Sequence, residues 1–292
     1  MNEKTRNYWN EEASKGHRQK AYGYGTNPSV RYPTYEVRRE RILELLQDRP
    51  RGRLLDAGCG SADVLTHLLD QGWDGEGIDF APNMVTAAQA LLVEHGHDPQ
   101  RVREGSITDL SAWADKSMDV VVCLGVMGYL SPANQEKTYA EIHRVLKDDG
   151  VLLLQHINGL FDLFTMNRFT VEFYNRELLP HFFSGQALTD ATAMVAALLT
   201  NAELPEKGTK FASIRDTLEM TTEIPFAYAE KARGFGFREI DQIFLRMHTL
   251  PPMLFAEHPE LEQLSIDKEK ELCRHWSARL FAAGFISVLE KM

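Results

Sequence analysis

Two acids and two glycines set the chemistry that the rest of the chain must position. Asp56 ends the apolar pair Leu54-Leu55, and Ala57-Gly58-Cys59-Gly60-Ser61-Ala62-Asp63 follows it. Asp79 ends the next short run, Gly77-Ile78. A Gly-x-Gly between a strand and a helix lets bare backbone approach a ligand. A carboxylate at the neighbouring strand tip is a natural acceptor for a diol. A dinucleotide fingerprint asks for Gly-x-Gly-x-x-Gly/Ala, so that a helix N-terminus faces the pyrophosphate. Here the last position is Asp63, and Asp56 stands just before the first glycine. Negative charge at that tip opposes a diphosphate and suits an ammonium or a sulfonium. The pattern therefore predicts a nucleoside-bearing ligand with a cationic tail. The bland alternative for Asp79 is a cap on the helix that begins at Pro82.

The elements that must hold these residues alternate regularly. Arg53–Ala57 reads as the first strand, and Ala62–Gln71 as a helix with Val64, Leu65, Leu68 and Leu69 on one face. Gly75–Phe80 is a second strand, Pro82 to about His95 a helix, and Arg101–Glu104 a short third strand. Met118–Leu124 is almost wholly apolar, as a strand buried on both faces must be. Asn134–Leu146 is helical, Lys147–Gly150 is expected to turn, and Val151–His156 is a fifth strand. This alternation predicts βαβ units and a doubly wound α/β sheet. Regularity breaks at Asn158, after which residues 159–226 read as helices and loops, including a helix at Thr189–Leu199. Sheet-like patterning resumes at Phe237–Leu250 and closes at Phe285–Leu289, with a helix over Pro259–Trp276 between them. The expected organisation is one domain, 1–292. It has an N-terminal lid segment at 1–34, a ligand-binding core at 35–157, an inserted cap at 158–236 and closing strands with a helix at 237–292.

Composition narrows the function. The 292 residues carry a formal charge of −10, which repels nucleic acid unless a basic patch forms. The densest basic stretch, Arg38-Arg39-Glu40-Arg41, is interrupted by an acid and reads as the solvated face of a helix over Tyr35–Gln47. Three scattered cysteines, Cys59, Cys123 and Cys273, make neither a metal cage nor a disulfide framework, so no metal is expected. No apolar run nears the roughly 18 residues of a membrane span, and the N-terminus lacks an apolar leader pattern. A cytoplasmic protein is the expectation, with no nucleic-acid or membrane partner, as a monomer or homodimer.

The chain resembles the class I S-adenosylmethionine-dependent methyltransferases, of the kind that act on small molecules. The residues that carry the likeness are Asp56–Ala62, Gly77–Met84, Asp119–Val126 and Arg144–Gly150, in the family's order and spacing. The resemblance covers roughly 35–157 and, more weakly, 237–292. It implies a Rossmann-like, mostly parallel seven-stranded sheet with helices on both faces and a helical cap inserted after the fifth strand. It also implies S-adenosylmethionine as cofactor. Gly58 and Gly60 would admit the methionyl part, and Asp56 would favour its amino end. Asp79 would bind the ribose hydroxyls. Phe80 and Met84 would contact adenosine, Ser106 and Ile107 the adenine edge, and Leu124 the methionyl side. Three positions depart from the pattern. Ala62 replaces a frequent glycine, Ser106 stands where many members have Asp, and Gly128-Tyr129 stands where many have Glu-His. Phe80 and Met84 read equally as core, and Ser106 as a turn residue.

Transfer of a methyl from a sulfonium needs alignment and exclusion of water, and a base helps when the acceptor is a hydroxyl or a protonated amine. His156, at the end of the fifth strand, and Tyr129, after the fourth, are the candidate catalytic residues. Their alternatives are a backbone hydrogen bond for His156 and pocket lining for Tyr129. Tyr22, Tyr24 and Phe161 are candidates to cap the acceptor; Arg31, Asn167 and Arg168 are candidate anchors for its polar groups and read equally as surface residues. Phe161, with Phe164, Phe169 and Phe173, reads also as packing of the insertion onto the sheet. The acceptor is expected to be a small molecule methylated at oxygen or nitrogen, such as a metabolite, sugar or natural-product intermediate. Other readings keep the cofactor with a different outcome (a cyclase or decarboxylase) or describe a silent cofactor-binding subunit. A dinucleotide oxidoreductase is the remaining one.

Overall fold

The computed structural model describes residues 3–14, 34–198, 218–252, 254 and 259–292. Seven strands form one sheet: β1 (Arg53–Ala57), β2 (Asp74–Asp79), β3 (Val102–Glu104), β4 (Met118–Cys123), β5 (Leu146–Ile157), β6 (Phe237–Met247) and β7 (Ala282–Lys291). Their order is β3-β2-β1-β4-β5-β7-β6. β1 to β5 run parallel, and β7 lies antiparallel between β5 and β6. The sheet is thus mostly parallel and Rossmann-like. Strand order reverses between β1 and β4, and such a switch point opens a crevice beyond the strand ends.

Helices cover both faces. They are α1 (Glu3–Ser14), α2 (Thr34–Leu46), α3 (Asp63–Asp70), α4 (Pro82–Glu94), α5 (Pro132–Val145), α6 (Gly185–Leu198), α7 (Pro225–Gly234) and α8 (Pro259–Leu272). Strand alternation divides the core in two, because successive side chains point to opposite faces. Leu55, Ala57, Val121, Cys123, Leu152 and Leu154 face one layer with Tyr139, Ile142, Tyr228 and Phe285. Leu54, Val120, Val122, Val151 and Leu153 face the other, with Ile42, Leu65, Leu68 and Ala88. Pro82 occupies the first turn of α4, where its missing N–H costs nothing.

The expected turn at Lys147–Gly150 is absorbed into β5. The register shifts between Met118 and Val120, so Leu146 pairs with Met118 and Val151 with Val120. The residues between them form a bulge in a continuing strand, not a separate turn. The basic stretch in α2 is not a solvated face either. Arg41 is buried and pairs with Glu44 and Glu40, and Arg39 bonds buried Asp63 at 3.1 Å. Beyond β5, the described chain forms short helical turns at Phe161–Phe164 and Arg168–Phe173 and then α6. It returns through residues 221–224 beside the ends of β4 and β5, with a bridge between Asn158 and Glu223. Among the described residues no helix is long and apolar enough to cross a membrane.

Candidate active site

The ends of β1, β2 and β4 enclose one cleft of about 870 Å³, open to solvent. Asp56, Gly58, Gly60, Asp79, Phe80, Met84, Ile107, Leu124 and Tyr129 all line it. The turn after β1 is built for close approach. Gly58 has φ +88°, and a Cβ there would stand 2.3 Å from Val126 Cγ2. Gly60 has φ +52° and meets open space, so any side chain would project into the cleft. Glycine alone reaches these conformations without steric cost. Ala62 also takes a left-handed conformation, φ 61°, as it leads into α3.

Asp79 holds this turn. Its Oδ2 accepts from the Gly60 amide at 2.9 Å and its Oδ1 from the Ala81 amide at 2.9 Å. The second bond shapes the turn that enters α4 but does not cap it: Ala81, not Asp79, is the N-cap residue. An ionised carboxylate offers about four acceptor sites, which leaves capacity for a ligand diol. Burial pushes the Asp79 carboxyl above its usual range, and the backbone donors of Ala81, Gly60 and Phe80 oppose that shift. Asp56 is 3% exposed. Burial raises its carboxyl to about 7, the positive field of Arg38 resists, and Asp79 and Asp63 add to the rise. An acid held near neutrality in a cleft is a common mark of a functional site.

Several lining residues went unrecognised in the sequence. Arg38 of α2 reaches the cleft beside Asp56, and Trp9 of α1 closes its outer side. Trp9 meets Tyr129 edge to face, with ring centroids 5.8 Å apart and planes at 84°. α1 is carried there by α4. Asn83 donates its amide to Asn10 Oδ1 at 3.0 Å and its Nδ2 to Asn10 O at 3.2 Å, and Arg6 pairs with Glu104 at the end of β3. Helical spacing could have flagged Arg38, since it lies three residues before buried Arg41. Trp9 carried no such signal, because its place depends on the docking of a whole helix.

Other proposed residues lie elsewhere. His156 is 5% exposed and packs between Tyr228 and Phe285, at 4.1 and 4.8 Å between centroids. It shares the parity of Leu152 and Leu154, so β5 turns it into the core layer and away from the cleft. Burial lowers its pKa to about 3, and its Nε2 has no hydrogen-bond partner. This geometry corrects the base reading. Phe161 is buried against Phe164 and His248, which is the packing alternative. Asn167 caps the turn Arg168–Phe173 by accepting from the Phe169 amide at 2.9 Å, so its side chain is committed locally. Ser106 bonds Thr108 Oγ1 at 2.8 Å and shapes the turn after β3, while its neighbours Gly105 and Ile107 line the cleft. Tyr22, Tyr24 and Arg31 lie outside the described residues.

Comparison with known proteins agrees with this architecture. Residues 55–154 match the family model described as a methyltransferase domain. Demethylmenaquinone methyltransferase of Alkalihalophilus pseudofirmus is 27% identical over 160 residues, 53% of this chain and 65% of that protein. Ubiquinone biosynthesis O-methyltransferase of Rickettsia canadensis is 25% identical over 134 residues, 46% of this chain and 55% of that one. Against other curated relatives the chain spans only 40% to 48% of their length. The solved magnesium protoporphyrin IX methyltransferase of Synechocystis, with bound S-adenosylhomocysteine, is 14% identical, with a TM-score of 0.57 over 99% of this chain and 98% of that one, a likeness of fold. The matched segment holds β1, α3, β2, β4 and most of β5, the elements that build the cleft. Over residues 55–154 this chain is thus similar to a methyltransferase domain, set in a fold like that of the solved methyltransferase.

Proposed function

We propose that this protein transfers the methyl group of S-adenosylmethionine to an oxygen or nitrogen of a small-molecule acceptor. The observation that carries the reading is the convergence of Asp56, Arg38, the Gly58–Gly60 turn and Asp79 on one cleft at the switch point. The cofactor fits the residues present. The open space before Gly60 is a seat for a main-chain-like group, and the cleft offers opposite charges for a zwitterion. In this reading Asp56 holds the α-ammonium and Arg38 the α-carboxylate. Asp79 takes the ribose hydroxyls, Phe80, Met84 and Ile107 flank adenine, and Leu124 lies along the methionyl chain. When bound, the cofactor supplies an electrophilic methyl on a sulfonium. Trp9 and Tyr129 wall the acceptor side, exclude water and orient the acceptor, and the rate gain comes from that alignment.

Calorimetry tests the cofactor half directly: S-adenosylhomocysteine should bind and NAD should not. Mass-spectrometric detection of a 14-dalton gain across a panel of hydroxyl and amine metabolites tests the acceptor half. Binding of NAD in preference to adenosylhomocysteine would sink the proposal. Binding of adenosylhomocysteine with no methylated product on a broad panel would favour a silent cofactor-binding subunit.

A further inference from the structure

Tyr129 stands on a short turn, Met127–Tyr129, whose carbonyls are gripped from two directions. Buried Gln135, in the first turns of α5, donates through Nε2 to Met127 O at 3.1 Å and Leu130 O at 3.4 Å. The same amide nitrogen reaches Thr221 Oγ1 at 3.1 Å. Thr221 belongs to the return segment of the insertion, and its own amide donates to Gly128 O at 2.8 Å. The approach is so close that a Cβ on Gly128 would stand 3.1 Å from Thr221 O. Residues 221–224 are also stitched to β5. Glu223 N donates to Ile157 O at 2.9 Å, and Gly159 N donates to Glu223 O at 2.8 Å. Lys231 of α7 pairs with Glu223 and reaches Gln135 Oε1 at 3.4 Å.

These bonds make residues 221–224 a strap between the turn after β4 and the end of β5. We propose that Gln135 and Thr221 are positioning residues that hold Tyr129 against Trp9 and thereby set the acceptor wall of the cleft. The proposal rests on the reading of the cleft given above. Neither Gln135 nor Thr221 lines the cleft. They act through the turn, by fixing carbonyls that would otherwise turn to water and carry the tyrosine with them. Gly128 is the residue that lets the strap come near enough, and a larger side chain there would hold it off.

The test uses the full chain labelled with 5-fluorotryptophan and observed by fluorine NMR without ligand, with the Trp9 line assigned by Trp9→Phe among the four tryptophans. Tyr129→Ala gives the position of that line when the edge-to-face contact is lost. Thr221→Val and Gln135→Leu should move the line toward that position, and Thr221→Ser, which keeps the hydroxyl, should leave it at the wild-type position. Thr221 is exposed, so its variants decide the matter if Gln135→Leu does not fold. Adenosylhomocysteine affinity should stay within twofold of wild type in the folded strap variants. An unmoved Trp9 line in Thr221→Val would overturn the proposal. So would a tenfold loss of adenosylhomocysteine affinity there, which would make the strap part of the cofactor's own seat. Failure of the wild type to bind adenosylhomocysteine would instead remove the cleft reading, while the ligand-free fluorine comparison would still decide the strap.

Discussion

If Asp56 holds the ligand's ammonium, as proposed, binding should release a proton. Its carboxyl is buried at the tip of β1 and pushed up to about 7 by desolvation, with Arg38 only partly opposing. At pH 7 about half of the ligand-free molecules therefore carry a neutral Asp56. A ligand ammonium pairs with the ionised form alone, so the apparent dissociation constant rises by the reciprocal of the fraction ionised. That factor is about 11 at pH 6 and about 1.1 at pH 8, a tenfold gain in affinity or about 1.4 kcal/mol. Adenosylhomocysteine suits the assay because its α-amine stays protonated across this range. Calorimetry in two buffers of different ionisation enthalpy should register about half a proton released per ligand at pH 7. Asp56→Asn should flatten the profile, and methylthioadenosine, which has no amino acid tail, should show no slope on the wild type. Wild-type affinity for adenosylhomocysteine that stays within twofold from pH 6 to 8, or a slope retained in Asp56→Asn, would refute this role for Asp56.

Three further outcomes follow from the geometry. Asp79→Ala should weaken adenosylhomocysteine by about 1–3 kcal/mol, the scale of lost charged hydrogen bonds, and unchanged calorimetric affinity would refute its role. Arg38→Gln should weaken adenosylhomocysteine about tenfold or more while sparing methylthioadenosine, whereas equal losses for both would remove Arg38 from carboxylate recognition. His156 has a depressed pKa, about 3, so its neutral form stabilises the fold above the unfolded value of about 6.5, and that stability is lost as pH falls from there toward 3. At pH 4.5 the cost is about 2–3 kcal/mol. His156→Phe should therefore melt higher than wild type at pH 4.5 relative to pH 7.5, as followed by circular dichroism, without altering adenosylhomocysteine affinity.

Legibility divided along physical lines. β1, β2, β4 and the glycine turn could be read because an apolar run ending in an acid before Gly-x-Gly admits few alternatives. The mostly parallel seven-stranded sheet followed from the family resemblance and is the sheet found. His156 was misread because nearness to a strand end was weighed without parity. One residue either way along β5 changes the face. Asn167 and Ser106 were read as ligand contacts, yet short polar side chains satisfy neighbouring backbone first. The three arginines of α2 met three fates, in the cleft, with Asp63 and with Glu44, and residue type alone does not separate them. Trp9 could not be placed without the Asn10–Asn83 contacts that dock α1.

The bond from Asp79 to the Gly60 amide ties the two ends of the cleft together mechanically. One carboxylate steadies the loop that would receive the amino acid end and, in the proposed reading, would also face the sugar of the same ligand. A molecule that engages only the sugar should therefore tug on the loop, and one that fills only the loop should reorient the acid. Half-ligands such as adenosine and methionine should accordingly bind with affinities whose product does not predict that of the whole, and the excess measures how stiff this latch is.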